Sequence, residues 1–332
     1  MSDTQGIAVI GGGSWATAIM KMLLNNLDNV YWWMRNENAI EHILQHGHNP
    51  NYISSVEFPV EKLTVSSNLN DILSQTDVLI FAVPSAFLKE TLSGIDSKEM
   101  ENKIIFSAIK GIVPENNVVV GDFFHHTFSI PYDNIGVISG PCHAEEVAME
   151  KLSYLTVSCQ VKEKAEMMAD ALRCRYVKCS VSNDIYGTEY SAVLKNVFAI
   201  ASGICHGLGY GDNFQAVLIS NAIREIKRFV DTVHPISRDI KDSAYLGDLL
   251  VTAYSQFSRN RTFGNMIGKG YSVKSVMMEM DMIAEGYYAV KCIKEINKQH
   301  NVDMPITDAV YNIVYDKISP LIEMKILEDK LS

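Results

Sequence analysis

The tightest constraint on what this chain can fold into lies near its start. The apolar run IAVI leads into the small-residue turn GGGSWATA, and a helical pattern follows from Ser14 to Leu24. A strand that enters a helix through consecutive glycines forms a βα unit, because glycine reaches backbone conformations that other residues avoid. The pattern then repeats. Val30 to Met34 reads as a second strand, and Val78 to Ala82, Ile104 to Ser107 and Ile135 to Ser139 read as further buried strands. Each is followed by turn residues and a helical pattern. Such alternation predicts parallel strands with helices on both faces. Leu155 to Ser158 and Tyr176 to Cys179 extend the sheet. After about Val181 the strand signals stop, and helices are expected at 185–208, 213–232, 239–256 and 273–299, with two more beyond Pro305. The expected architecture is α/β: a doubly wound sheet over residues 1–183, then an all-α domain over 184–332, with the boundary between 180 and 186.

Composition narrows the partners. At 332 residues the chain can build two domains and a large core, and its hydrophobic fraction of 47% and charged fraction of 20% are ordinary for a globular protein. The net charge of −10 argues against a nucleic-acid groove or attraction to anionic membranes. Any phosphate site must therefore rest on a few local cations. The six cysteines (Cys142, Cys159, Cys174, Cys179, Cys205 and Cys292) are scattered without a CxxC pair, which fits buried thiols in a reducing compartment rather than disulfides or zinc. The histidine pairs His46–His48 and His125–His126 have no acidic or cysteine partner at ligand spacing, so no metal is expected. The N-terminus has no signal-peptide pattern, and no apolar run reaches about 18 residues without a charge. A soluble cytoplasmic protein with no membrane insertion is the expectation.

In the first turn, Gly11, Gly13 and Ala16 occupy the three small-residue positions of the dinucleotide fingerprint. Gly11 permits the tight turn, Gly13 allows backbone to approach a pyrophosphate, and Ala16 lets helix and strand pack closely. The end of the second strand, YWWMRNE, carries Arg35 and then Glu37. An arginine there suits the extra phosphate of NADP and a carboxylate suits the ribose of NAD, so both nucleotides stay open, as does Arg35 as a plain surface charge. Trp32 and Trp33 read as sheet packing. The Val83-Pro84-Ser85 turn lies at the same carboxyl edge, where ligands of such sheets collect.

Lys195 is the oddity of the helical half, a lysine within EYSAVLKNVFAIASG whose neighbours three and four positions away are small or apolar. Burial would lower its pKa toward neutrality, while snorkelling to the surface is the bland alternative. Lys110 follows a strand directly, and the Gly140-Pro141 turn ends the next one. Asp248 sits in an apolar stretch, where an aspartate often only caps a helix. Ser258-Arg259-Asn260-Arg261 opens an expected loop whose hydroxyl, guanidinium and amide could grip a phosphate.

GGGSWATA, AVPS, IKGIVPE, SGPCHAEEV, LKNVFAIASGICHGLGYGDN, GDL, SRNRTFG and AEG, in this order and spacing, resemble the soluble NAD(P)-dependent glycerol-3-phosphate dehydrogenases of the bacterial biosynthetic kind. The resemblance spans nearly the whole chain. It implies a Rossmann-type domain, a helical domain of the 6-phosphogluconate dehydrogenase C-terminal-like kind, and assembly as a homodimer. It also implies reversible reduction of dihydroxyacetone phosphate to sn-glycerol 3-phosphate, which feeds phospholipid biosynthesis. By motif, Ser14, Trp15, Arg35, Lys110, Ala144, Arg259, Ile283 and Glu285 join Gly11 and Gly13 around NADP(H) or NAD(H). Lys195 would be the general acid/base. Lys110, Gly140, Cys142, Asp248, Ser258, Arg259 and Asn260 would surround the phosphorylated substrate. Cys142 and His143 stand where the family usually has serine and phenylalanine, Ile109 replaces a small hydroxyl residue, and Ala16 replaces a third glycine. A thiol is a weaker hydrogen-bonding group than a hydroxyl, so Cys142 is expected to act through its backbone. The remaining readings are another lysine-dependent phospho-sugar or hydroxy-acid dehydrogenase, and a non-catalytic nucleotide sensor.

Overall fold

The computed structural model describes residues 6–280 and 284–332. The chain divides into two compact units, Met1–Ile109 with Val120–Ile185, and Lys110–Val119 with Tyr186–Ser332. The segment from Lys110 to Val119, expected in the sheet domain, thus belongs with the helices.

The first unit is built on eight strands: β1 (Ile7–Ile10), β2 (Val30–Trp33), β3 (Leu63–Ser66), β4 (Val78–Phe81), β5 (Ile104–Ser107), β8 (Ile135–Ser139), β9 (Ser153–Cys159) and β10 (Val177–Ser182). Their order is β10-β9-β8-β5-β4-β1-β2-β3. The central strands IAVI, VLIF and IIFS are buried at every residue, the near-continuous apolar run that a sheet covered on both faces requires. β1 pairs with β2 on one side and β4 on the other, so the chain reverses its direction of winding between β1 and β4. In open sheets of this kind the crevice at such a reversal receives ligands. Helices α1 (Ser14–Leu23), α2 (Glu37–His46), α3 (Leu69–Leu73), α4 (Leu88–Thr91), α5 (Val120–Phe128), α6 (Ala144–Ala148) and α7 (Lys162–Leu172) complete the unit.

In this unit two features depart from the sequence reading. β3 pairs at the sheet edge, and its four residues are only half-buried, which blurs the apolar signal that marks the central strands. β9 runs antiparallel to β8 and parallel to β10. Local alternation is the same for either strand direction, so it could not announce this reversal.

The second unit opens with the hairpin β6 (Ile112–Val113) and β7 (Val118–Val119), with β6 packed against a later helix. Its helices are α8 (Ile185–Gly207), α9 (Asp212–Val233), α10 (Asp248–Tyr254), α11 (Arg259–Gly268), α12 (Val273–Glu279), α13 (Glu285–His300), α14 (Pro305–Val314) and α15 (Pro320–Glu328). Leu194, Phe198, Phe229, Phe263, Ile293 and Val310 lie in one apolar core. The helix expected over 239–256 is instead a π-helical turn, Ser243–Gly247, continued by α10. The one expected over 273–299 is two helices, the first ending where Met280 turns extended. The expected SRNR loop is the start of α11.

The α8–α11 packing is set by four glycines. A Cβ on Gly203 or Gly207 would meet the carbonyl oxygen of Arg261 or Asn265 at 2.1 and 2.4 Å, and one on Gly264 or Gly268 would meet that of Ile200 or Ile204 at 2.1 and 2.3 Å. Two facing stripes of small residues at four-residue spacing bring the helix backbones close, at the separation where Cα–H groups meet carbonyls. This contact fixes the N-terminus of α11 relative to the helix that carries Lys195. No helix among the described residues is long and apolar enough to cross a membrane. All six cysteines are free, and burial pushes the Cys205 thiol up to about 12 and Cys292 to about 11.

Candidate active site

Gly11, with φ of +137°, makes the turn after β1 in a conformation where a Cβ would lie 2.5 Å from the Ala82 carbonyl. At Gly13 a Cβ would meet nothing within 4 Å, so the outer side of the turn is open to an approaching group. Ala16 is fully buried. Ser14 is the first residue of α1, Gly13 its N-cap without a side-chain cap, and Trp15 is half-buried beside them. Backbone N–H groups at an uncapped helix N-terminus next to a glycine turn suit a pyrophosphate. The donor set therefore fits a dinucleotide.

Arg35, just past β2, is solvent-facing and lies 3.6 Å from Glu90. Glu37, the first residue of α2, already accepts a hydrogen bond from the Ser67 hydroxyl at 3.0 Å. After β4, Ser85 is buried at the start of a short 3₁₀ turn. After β8, Gly140 has φ of +118° and a Cβ there would meet the Tyr154 carbonyl at 2.8 Å. Cys142 packs into the apolar core of this unit, and Ala144 begins α6.

In the second unit Lys195 does not snorkel. It is 4% exposed, and its Nζ donates to Oδ1 of Asp248, which is itself 1% exposed. The other carboxylate oxygen, Oδ2, accepts from Lys110 Nζ at 3.3 Å. One carboxylate thus serves two ammonium groups, and with all three ionised the trio carries a net positive charge. Burial lowers the Lys195 pKa to about 7; Asp248 opposes this, and the neighbouring Lys110 charge adds to it. Burial alone would raise the Asp248 carboxyl, but the charges of Lys110 and Lys195 outweigh it and hold the pKa below the usual carboxylate value. The result is a buried amine poised to exchange a proton near neutral pH beside a carboxylate that stays ionised.

Local structure explains the arrangement. Asp248 is the first residue of α10, directly after the π-helical turn, a distortion found often at functional sites. The side chain of Asn196, next to Lys195, donates to the Lys110 carbonyl at 2.8 Å and so holds the strand-end lysine in place. No role for Asn196 was visible in the sequence, where its only signal was an amide adjacent to Lys195.

At α11, Ser258 is the N-cap, its hydroxyl accepting from the Arg261 N–H at 3.3 Å. Arg259 is exposed at the first helical position, while Asn260 is buried and its Oδ1 accepts from the Gly286 N–H at 2.9 Å. A Cβ on Gly286 would lie 2.5 Å from the Asn196 carbonyl, so α8, α11 and α13 meet at this point. Glu285 is the first residue of α13, and Ile283 lies outside the described residues. Among the described residues, no group of three or more His, Cys, Asp or Glu side chains is placed to hold a metal ion.

A buried lysine that can trade a proton near neutral pH is able to serve hydride chemistry at a carbinol carbon, and the glycine turn after β1 fits the nucleotide such chemistry uses. Fold and site together define a nicotinamide-nucleotide-dependent oxidoreductase. Comparison with known proteins narrows this. Residues 6–165 match the model of the NAD-dependent glycerol-3-phosphate dehydrogenase N-terminus, and residues 184–325 that of its C-terminus. Glycerol-3-phosphate dehydrogenase [NAD(P)+] of Staphylococcus carnosus is 33% identical over 313 residues, covering 94% of each chain. The crystal structure of glycerol-3-phosphate dehydrogenase from Coxiella burnetii superposes with a TM-score of 0.90 at 26% identity, covering 97% of this chain and 98% of that one. The Saccharomyces cerevisiae enzyme gives 0.81 at 25%, covering 98% and 100%. The chain belongs to the NAD(P)-dependent glycerol-3-phosphate dehydrogenase family.

Proposed function

We propose that this protein reduces dihydroxyacetone phosphate to sn-glycerol 3-phosphate, reversibly, with Lys195 as the general acid/base. The observation that carries the reading is the buried Lys195–Asp248–Lys110 trio in a chain of this family. A nicotinamide nucleotide, when bound, would supply or accept the hydride at carbon 2 of the substrate. The oxygen on that carbon must then gain or lose a proton. Protonated Lys195 donates it as the alkoxide develops, and the neutral amine takes it back in the oxidative direction. Asp248 orients Lys195 and keeps its pKa from falling further, while Lys110 adds positive charge where the oxyanion forms. Arg259 and the N-terminus of α11, capped by Ser258, hold the substrate phosphate, a remote grip that positions carbon 2. Asn260, committed to Gly286, acts by shaping that helix start. In the first unit, Gly140 and Cys142 present backbone groups to the substrate. Gly11, Gly13, Ser14, Trp15 and Ala144 contact the nucleotide, and Lys110, Arg259 and Glu285 add to its contacts.

Arg35 faces solvent while Glu37 is engaged with Ser67, which favours NADP(H) with NAD(H) also accepted. The product would supply phospholipid synthesis, with the protein working in the cytoplasm as a homodimer. Oxidation of NADPH that requires dihydroxyacetone phosphate and yields glycerol 3-phosphate tests the assignment. Turnover of 6-phosphogluconate instead, or no ketone-dependent oxidation, would overturn it.

A further inference from the structure

The glycine turn of the nucleotide site is held from behind by three side chains. The Trp32 indole N–H, fully buried, donates to the Gly11 carbonyl at 2.6 Å. The Asn49 amide, also fully buried, donates to the Gly12 carbonyl at 3.1 Å and to the Thr17 hydroxyl at 2.9 Å. That hydroxyl in turn donates to the Gly13 carbonyl at 3.0 Å. Asn49 is itself fixed, since its Oδ1 accepts the Asn51 N–H at 3.0 Å. Each of three consecutive carbonyls therefore has a side-chain donor, that of Gly13 in addition to the backbone N–H of Thr17 at 2.9 Å, and the donors come from β2, from α1 and from the loop after α2.

In a trans peptide the C=O and the following N–H point in opposite directions. Fixing the carbonyls of Gly11, Gly12 and Gly13 therefore aims the N–H groups of Gly12, Gly13 and Ser14 away from the three donors. Gly12, Gly13 and Ser14 are half-exposed, whereas the donors behind them are buried. Three glycines in a row are free to rotate their peptide planes, and a rotated plane would turn a carbonyl oxygen toward an incoming phosphate and repel it. We infer that Trp32, Asn49 and Thr17 are positioning residues for the nucleotide pyrophosphate, which they serve by locking the glycine peptides with N–H groups outward. This assigns Trp32, read from sequence as sheet packing, a second role. The inference rests on the nucleotide-binding reading of the turn.

The test is NADPH affinity, by fluorescence titration of the full-length protein, for Trp32→Phe and Asn49→Ala. Trp32→Phe keeps an aromatic ring in the core and removes the donor together with part of the indole's volume. Asn26→Ala is the matched control, because that amide also donates to carbonyls of the same unit, those of Ala171 and Arg173, away from the turn. The loss of one hydrogen bond of ordinary strength corresponds to roughly a three- to tenfold rise in Kd. The expected result is that rise for both turn variants, a matching rise in KM for NADPH, an unchanged KM for dihydroxyacetone phosphate, and no change for Asn26→Ala. Folded Trp32→Phe and Asn49→Ala proteins with wild-type NADPH affinity would overturn the inference. So would an equal loss in Asn26→Ala, which would mark the effect as general loosening. Should Asn49→Ala fail to fold, Trp32→Phe decides alone. Wild-type protein that binds no NADPH would instead overturn the nucleotide reading, and this inference with it.

Discussion

Replacing Asp248 by asparagine isolates the electrostatic part of the mechanism. The carboxylate is 1% exposed and touches both Lys195 and Lys110. A neighbouring opposite charge in this range moves a pKa by about 1–3 units. Lys195 now stands at about 7 with Asp248 in place, so the variant should bring it to roughly 4–6. At about pH 7.5 the protonated fraction of Lys195 would fall from about a quarter to a few per cent or less. Reduction needs the proton, so its kcat should drop at least about tenfold at that pH and recover as the pH is lowered. Oxidation needs the neutral amine, so its acid limb should move down by the same amount. Breaking a buried pair also costs about 3–5 kcal/mol, so stability must be checked by urea titration over the same pH range. The assay is kcat against pH in both directions. Both limbs remaining near the wild-type position would refute the claim that Asp248 sets the Lys195 proton affinity.

Other substitutions probe separate links. Gly264→Ala would press a Cβ against the Ile200 carbonyl at 2.1 Å; overpacking of this kind costs about 1–3 kcal/mol, and urea denaturation should show that loss together with a raised substrate KM. Arg35→Ala should raise KM for NADPH about tenfold and leave NADH unaffected, a pattern that initial-rate kinetics with the two nucleotides resolves. Glu225 is fully buried and accepts from the N–H groups of Ile306 and Thr307 at the start of α14, yet burial pushes its carboxyl up to about 7. Because its folded pKa lies above the unfolded value, its contribution is fully present below the unfolded pKa and is lost as pH rises through about 7. Wild-type stability should therefore fall by roughly 3 kcal/mol more than that of Glu225→Gln between about pH 4.5 and pH 8, measured by denaturant titration.

The sequence made the first βα unit and the central strands legible because their burial on both faces leaves unbroken apolar runs. Lys195 was legible because a charge stands out in a helix buried all round. What stayed hidden had physical reasons. Helix α11 carries Gly264 and Gly268, which lower helix propensity, and their purpose, close approach to α8, exists only in three dimensions. The antiparallel β9 and the transfer of Lys110 to the helical unit are matters of chain path, to which local periodicity is blind. Asn49 sits in a polar loop whose residues look alike until one proves to be fully buried. Ser258 and Asn260 were candidates from sequence, but their engagement with α11 and Gly286 needed the structure.

The most direct test of the central claim is Lys195→Ala, assayed for dihydroxyacetone phosphate-dependent NADPH oxidation and, in the same preparation, for NADPH binding. Turnover should fall by a factor of at least about 100, with the NADPH dissociation constant within a few-fold of wild type. Near-normal turnover in a folded Lys195→Ala protein would contradict the claim.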